Sequence, residues 1–143
     1  MPGSFGFEIA TIEQRVFTGS AASVTLPAFE GYMGVWVGHA LMLVSLQPGQ
    51  ISARQASGET TYFAVSGGFA RVSRDSVTVM ADASEPADQI DADRAAAARD
   101  RALERLRRPG PDVDLDRARA ALARALVRIK VSAYARRSPQ GRV

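Results

Sequence analysis

One histidine, no cysteine and seventeen arginines bound the chemistry open to this chain. Without cysteine there is no thiolate nucleophile, no thiolate metal ligand and no disulfide. His39 stands in GVWVGHALML, and neither an HExxH nor a Gly-x-Ser-x-Gly motif occurs anywhere. A glycine-rich loop ending in Lys-Ser/Thr is also missing, which excludes a Walker-type nucleotide hydrolase. His39 therefore reads as a packing or hydrogen-bonding residue, and neither a catalytic residue nor a metal site is expected. What remains is guanidinium chemistry. At 100° per residue Arg94, Arg101 and Arg105 share one face of a predicted helix. Arg117, Arg124 and Arg128 share one face of a second helix, opposite its apolar stripe. Guanidinium forks suit phosphate oxygens and carboxylates. Asp100, Glu104 and Asp116 stand at ion-pair spacing, so the same arginines also read as two solvated faces. Both readings stay open on spacing alone.

The elements that must position these arginines lie in the second of two dissimilar parts. Residues 1–86 carry four arginines against seven carboxylates, net −3; residues 87–143 carry fourteen basic residues against eight, net +6. A basic appendage favours an anionic partner: nucleic acid, an acidic protein surface or a nucleotide phosphate. The first part alternates with a period of two. Val24 and Leu26 share a face in SVTLPA, as do Val77 and Val79 in SVTVMAD, and Phe7, Ile9 and Ile12 alternate loosely. Gly67-Gly68 between YFAVS and FARVS predicts a hairpin, and QPGQ at 47–50 predicts another turn. Strands at this spacing indicate a β-sandwich or barrel.

The period changes after Pro86. Asp88, Asp91 and Asp93 stand where a helix N-terminus favours negative charge. Ala95, Ala98, Ala102 and Leu106 form a narrow stripe. RPGPD breaks the helix, and Asp112 or Asp114 caps the next. There Leu115, Ala118, Leu122, Leu126, Ile129 and Ala133 share a face. The short break implies an antiparallel hairpin. Alanine favours helix but buries little area, so this hairpin forms easily and docks weakly; it is either a moving part or a static cap. The opening MPGSFGFEIATIEQ lacks a basic segment followed by an apolar one, so no signal peptide is expected. The apolar run 35–46 is too short to cross a bilayer. The tail SPQGRV is expected to fray.

Several ordered stretches carry a resemblance. FEIATIEQRVFTGSAASVTLPAFEGYMGVWVGHALMLVSLQPGQI, VSGGFARVSRDSVTVMAD, IDADRA at 90–95 and DVDLDRARAALARALVRIKV together resemble the epsilon subunit of bacterial F-type ATP synthases, called delta in mitochondria. The match runs over roughly residues 5–133. Two departures stand out. Val37 and Leu41 occupy places where the family usually has proline, and RRPGP is stiffer than the usual polar turn between the helices.

The resemblance implies a β + α chain: a β-sandwich of about ten short strands at 1–86, then an antiparallel two-helix hairpin at 87–143. It implies a non-catalytic central-stalk subunit that couples gamma to the ring of c subunits, with a hairpin able to inhibit ATP hydrolysis. Glu30, Gly31, Tyr32 and His39 map onto the loop that meets gamma and the c ring. Arg117, Arg124 and Arg128, a charged stripe away from the apolar face, are expected to meet acidic groups of the alpha and beta subunits and so inhibit hydrolysis. In ATP-sensing members the folded hairpin holds one ATP, and Glu85, Ile90, Asp91, Arg94, Ala95, Arg101, Arg124 and Arg128 match that pattern. No cofactor is required, with ATP as a regulatory ligand. The expected location is the cytoplasmic face of the bacterial inner membrane, reached through the complex. The alternative from another class is a nucleic-acid-binding sandwich with a basic helical tail. Intermixed acids, and Tyr134 as the only helical aromatic, count against it, and no nucleic-acid partner is expected. An enzyme is the third reading, for which no convincing site exists.

Overall fold

The computed structural model describes residues 3–137, so the terminal segment expected to fray lies outside the described residues. The chain divides into two compact units, Met1–Pro86 and Ala87–Val143. The first contains β1 (Phe5–Ala10), β2 (Arg15–Ala21), β3 (Ser23–Ala28), β4 (Gly31–Trp36), β5 (Met42–Arg54), β6 (Thr60–Val72), β7 (Ser76–Ala81) and β8 (Ser84–Pro86). The second contains a single 3-10 turn at Ala87–Gln89, then α1 (Ala92–Arg107) and α2 (Leu115–Arg137). The architecture is the expected sandwich followed by two helices.

The sandwich is one folded-over sheet in the order β2-β1-β7-β6-β5-β3-β4, with β8 on β6. Its spine is the antiparallel pair β5–β6, thirteen residues each, in register from Met42↔Val72 to Arg54↔Thr60. β7 pairs only with residues 68–72 of β6, and β8 only with residues 63–65. Each long strand therefore serves both layers, and eight strands do what about ten short ones were expected to do. Alternate residues point inward. Phe7, Ile9, Val24, Leu26, Ile51, Phe63, Val72, Val77 and Val79 are fully buried in one cluster. Phe63 meets Phe7 and Phe17 at ring-centroid distances of 6.2 and 5.2 Å, which ties the layers together edge to face. Ile12 is not part of this face: it lies fully exposed in the β1–β2 turn.

Gly67-Gly68 is not a hairpin turn, and 47–50 is not a reversal. Both stretches lie inside the long ladder, where Pro48 faces Ser66 and Leu46 faces Gly68. The glycines have φ of +120° and +126°, far from the left-handed helical value that a tight hairpin turn needs. They bend the strand without turning it back. The reversal between β5 and β6 comes at 55–59, where Gln55 N–H donates to Glu59 O at 2.8 Å. A Cβ on Gly68 would run into the Met80 carbonyl and the Ala81 backbone, so β7 approaches this bend closely because no side chain intervenes.

In the helical unit, Asp91 caps α1: its Oδ1 accepts from Arg94 N–H at 3.0 Å. Asp114, not Asp112, caps α2, accepting from Arg117 N–H at 3.1 Å. The helices pack against each other, and the 3-10 turn packs on α2. Among the described residues of this unit the buried side chains are Ala95 and Ala102 of α1, with Ala118, Ala125, Val131 and Ser132 of α2. The expected α2 stripe is thus displaced. Leu115 and Leu126 are 38% and 48% exposed, while Ala118, Ala125 and Ser132 repeat at seven-residue spacing on the buried side. Close helix approach selects the smallest residues for the seam and leaves the leucines beside it. A buried methyl contributes roughly 0.8 kcal/mol, against about 1.5–3 for a leucine, so the seam is weak for its length.

Replacing Gly68 by alanine should lower sandwich stability by about 2–4 kcal/mol, through strain at positive φ and collision with β7. Gly58→Ala places its methyl in open space and should cost only about 1 kcal/mol. Urea denaturation of the two variants beside the parent checks the difference.

Candidate functional site

Among the described residues no group of three or more His, Cys, Asp or Glu could hold a metal ion. His39 is half-buried in the loop after β4, with Nδ1–H donating to Ala40 O at 2.8 Å. Among the described residues no acid or hydroxyl partners it for general-base chemistry. What the fold does build are surfaces.

The first surroundings are those of Glu30, Gly31, Tyr32 and His39. Glu30 is exposed in the β3–β4 turn, and Gly31, at φ +132°, opens β4. Tyr32 reaches across to β5, where its hydroxyl oxygen accepts from Gln50 N–H at 3.4 Å. A Cβ on Gly49 would stand 2.5 Å from Pro27 and 3.3 Å from that hydroxyl, so the β5 bend fits beneath Pro27 and Tyr32 because residue 49 has no side chain. His39 lies at the other end of β4, a strand length of about 17 Å away. There Gly38 N–H donates to Arg74 O at 3.0 Å and joins the loop to the β6–β7 turn. The four residues expected in one loop therefore do not converge: β-ladder pairing of Val24, Thr25 and Leu26 with Val35, Gly34 and Met33 separates them.

Sequence reasoning missed a second surface. Leu43, Phe69 and Met80 point away from the core and are 73%, 55% and 52% exposed. Phe69 faces Met80 across β6–β7, Met80 faces Ala10 across β1–β7, and Leu43 is the diagonal neighbour of Phe69. The result is an apolar strip on the outer face of a sheet, of the kind that marks a contact surface. Its signal was legible: LMLVSL and TVMA are apolar at both parities, which a sandwich strand with one wet face should not be.

The third surface is on the helical unit. Arg94 and Arg101 immediately precede the buried Ala95 and Ala102; Arg117 and Arg124 immediately precede the buried Ala118 and Ala125. Each arginine row therefore lies about a quarter turn from its alanine row, rather than opposite it. In an antiparallel pair with alanine rows facing, a step back along either chain turns toward the same side of the seam. Both rows line one side of the hairpin. Arg94, Arg101, Arg105, Arg117 and Arg124 are exposed. The ion pairs in this unit instead engage other arginines: Arg99–Asp100, Arg108–Glu104 and Arg119–Asp116. Among the described residues those five guanidinium groups have no ion-pair or hydrogen-bond partner. Arg128 is half-buried and not free.

Of the remaining residues matched to a nucleotide, Ile90 is half-buried beside the 3-10 turn and Asp91 is occupied as the α1 cap. Ala95 is fully buried, so its methyl presents no surface to a base. Glu85 belongs to β8 in the sandwich unit, paired in the ladder with Ala64.

Comparison with known proteins gives two family models that match in order. Residues 4–87 match the ATP synthase delta/epsilon chain beta-sandwich domain, and residues 88–133 match its long alpha-helix domain. The ATP synthase epsilon chain of Koribacter versatilis is 41% identical over 110 residues, 77% of each chain. That of Moorella thermoacetica is 41% identical over 104 residues, 73% of this chain and 78% of the relative. A chain in the Euglena gracilis mitochondrial ATP synthase, in a structure of its OSCP, F1 and c ring, shares the fold with TM-score 0.79 at 23% identity, covering 93% of this chain and 83% of that one. On these matches the chain belongs to the ATP synthase delta/epsilon family.

Proposed function

We propose that this protein is a non-catalytic central-stalk subunit of a proton-translocating F-type ATP synthase, of the epsilon type. The observation that carries the reading is the match of both family domains, in order, over residues 4–133. In this role the sandwich seats gamma and the ring of c subunits and transmits rotation between them. The strip of Leu43, Phe69 and Met80 suits a lasting apolar contact with gamma. Glu30 with Tyr32, and His39 with its loop, offer polar contacts to gamma and the c ring from opposite ends of β4. The membrane is reached through the complex; among the described residues no helix is long and apolar enough to cross it.

In the same reading the hairpin regulates. Arg117, Arg124 and Arg128 meet acidic groups of the alpha and beta subunits and restrain ATP hydrolysis. ATP competes with that contact by holding the hairpin folded. Arg94, Arg101 and Arg124, unpaired along one side of the seam, offer converging donors to phosphate oxygens. Arg128 and Ile90 of the same unit, and Glu85 of β8, match the same family pattern, while Asp91 and Ala95 contribute by capping and packing α1. ATP at a hundredfold excess over Kd stabilises the folded hairpin by about 2.7 kcal/mol, enough to bias a seam made of methyl groups.

Deleting residues 87–143 should leave the complex assembled and raise its ATP hydrolysis several-fold; unchanged hydrolysis removes the regulatory role. Isothermal titration of the whole chain with ATP should give heat and a thermal shift that Arg94→Ala abolishes. Silence at millimolar ATP leaves the arginines to protein contacts alone. Cysteines at Leu43 and Phe69 should crosslink to gamma, and one at His39 to gamma or a c subunit. Crosslinks from these positions only to alpha or beta overturn the orientation.

A further inference from the structure

The two helices of the second unit have most of what one long helix needs. Both are rich in alanine and arginine, among the strongest helix formers. Their fully buried residues are chiefly alanines, so folding back on each other contributes little that a straight helix would forfeit. Charge adds to this: both arginine rows face one side of the hairpin, and their repulsion eases when the helices part. Packing therefore does not explain why the chain folds back at 108–114.

The covalent chain does. α1 ends on the last N–H available to it, Arg108 donating to Glu104 O at 3.0 Å, and the next residue is Pro109. In a continuous helix residues 109 and 111 would donate to the carbonyls of Arg105 and Arg107. Both are proline, which has no N–H and whose ring crowds the carbonyl four residues back. Arg108 and Gly110 each precede a proline, a position biased away from helix. Arg108 obeys, with φ −130° and ψ 68°. Gly110 lowers helix propensity further, and its carbonyl accepts from Val113 N–H at 3.2 Å to close the turn. Asp114 then restarts the helix as a cap.

We propose that Pro109-Gly110-Pro111 is a built-in stop that confines this unit to two-segment states: the seam can open, but α1 and α2 cannot fuse into one continuous helix over 92–137. The stop needs only the hairpin and not the stalk role, so the two readings fail separately.

The test uses the full chain, which lacks cysteine, with spin labels at Asp93→Cys and Lys130→Cys, both exposed sites. Two facing helices hold such labels within roughly 25 Å, allowing about 10 Å between axes and the label arms. A fused helix sets them about 55 Å apart at 1.5 Å per residue. The parent should give only the short distance. The triple variant Pro109→Ala/Gly110→Ala/Pro111→Ala should add a population near 55 Å and gain ellipticity at 222 nm, equivalent to about seven further helical residues. The double variant Pro109→Ala/Pro111→Ala, keeping Gly110, should move the same way by less. An unchanged distance distribution in the triple variant overturns the proposal. So does loss of ellipticity in both variants, which would make the prolines necessary to the helices rather than a barrier between them.

Discussion

Everything in the first unit hangs on one bent ladder. β5 and β6 keep one register over thirteen residues, missing only the Gln47–Gly67 pair at the bend, yet must belong to two layers. A β-ladder does not fold sharply unless its backbone can leave the usual extended region without a Cβ in the way. Gly67 and Gly68 supply that freedom on one strand, and Pro48-Gly49 the bend opposite. From this spine β7 and β1 grow on one half and β3 and β4 on the other. The two halves then close over the aromatic contacts of Phe7, Phe17 and Phe63.

The second unit is built on the opposite principle. Its order comes from local chemistry: helix-favouring residues, an aspartate cap at each N-terminus and prolines between. Its seam adds little, because alanine buries few atoms. The two units thus differ in what holds them together: tertiary packing in one, local propensity in the other. A unit of the second kind keeps its secondary structure when its contacts are exchanged, which a packed sandwich does not.

That contrast bears on the surfaces. An apolar strip such as Leu43, Phe69 and Met80 is tolerable on a rigid sheet whose core is complete without it, so its exposure costs the fold little. Unpaired arginines are tolerable on a helix because water solvates them at little cost, and they remain available to whichever anion arrives. Ion pairs consume Arg99, Arg108 and Arg119 and leave the seam-side rows open.

The sequence by itself determined the class of each unit, the alternation that buries Val24, Leu26, Val77 and Val79, the acidic residues that open each helix, and the break at the prolines. These are local properties, written in period, cap chemistry and the missing proline N–H. Only the tertiary structure decided that Gly67-Gly68 bends a strand instead of reversing it, since a glycine pair permits either and the ladder partner selects. It also decided that Tyr32 and His39 sit at opposite ends of β4. The same holds for the alanines of α2 taking the seam in place of Leu115 and Leu126, because close approach of two helices ranks residues by size before hydrophobicity.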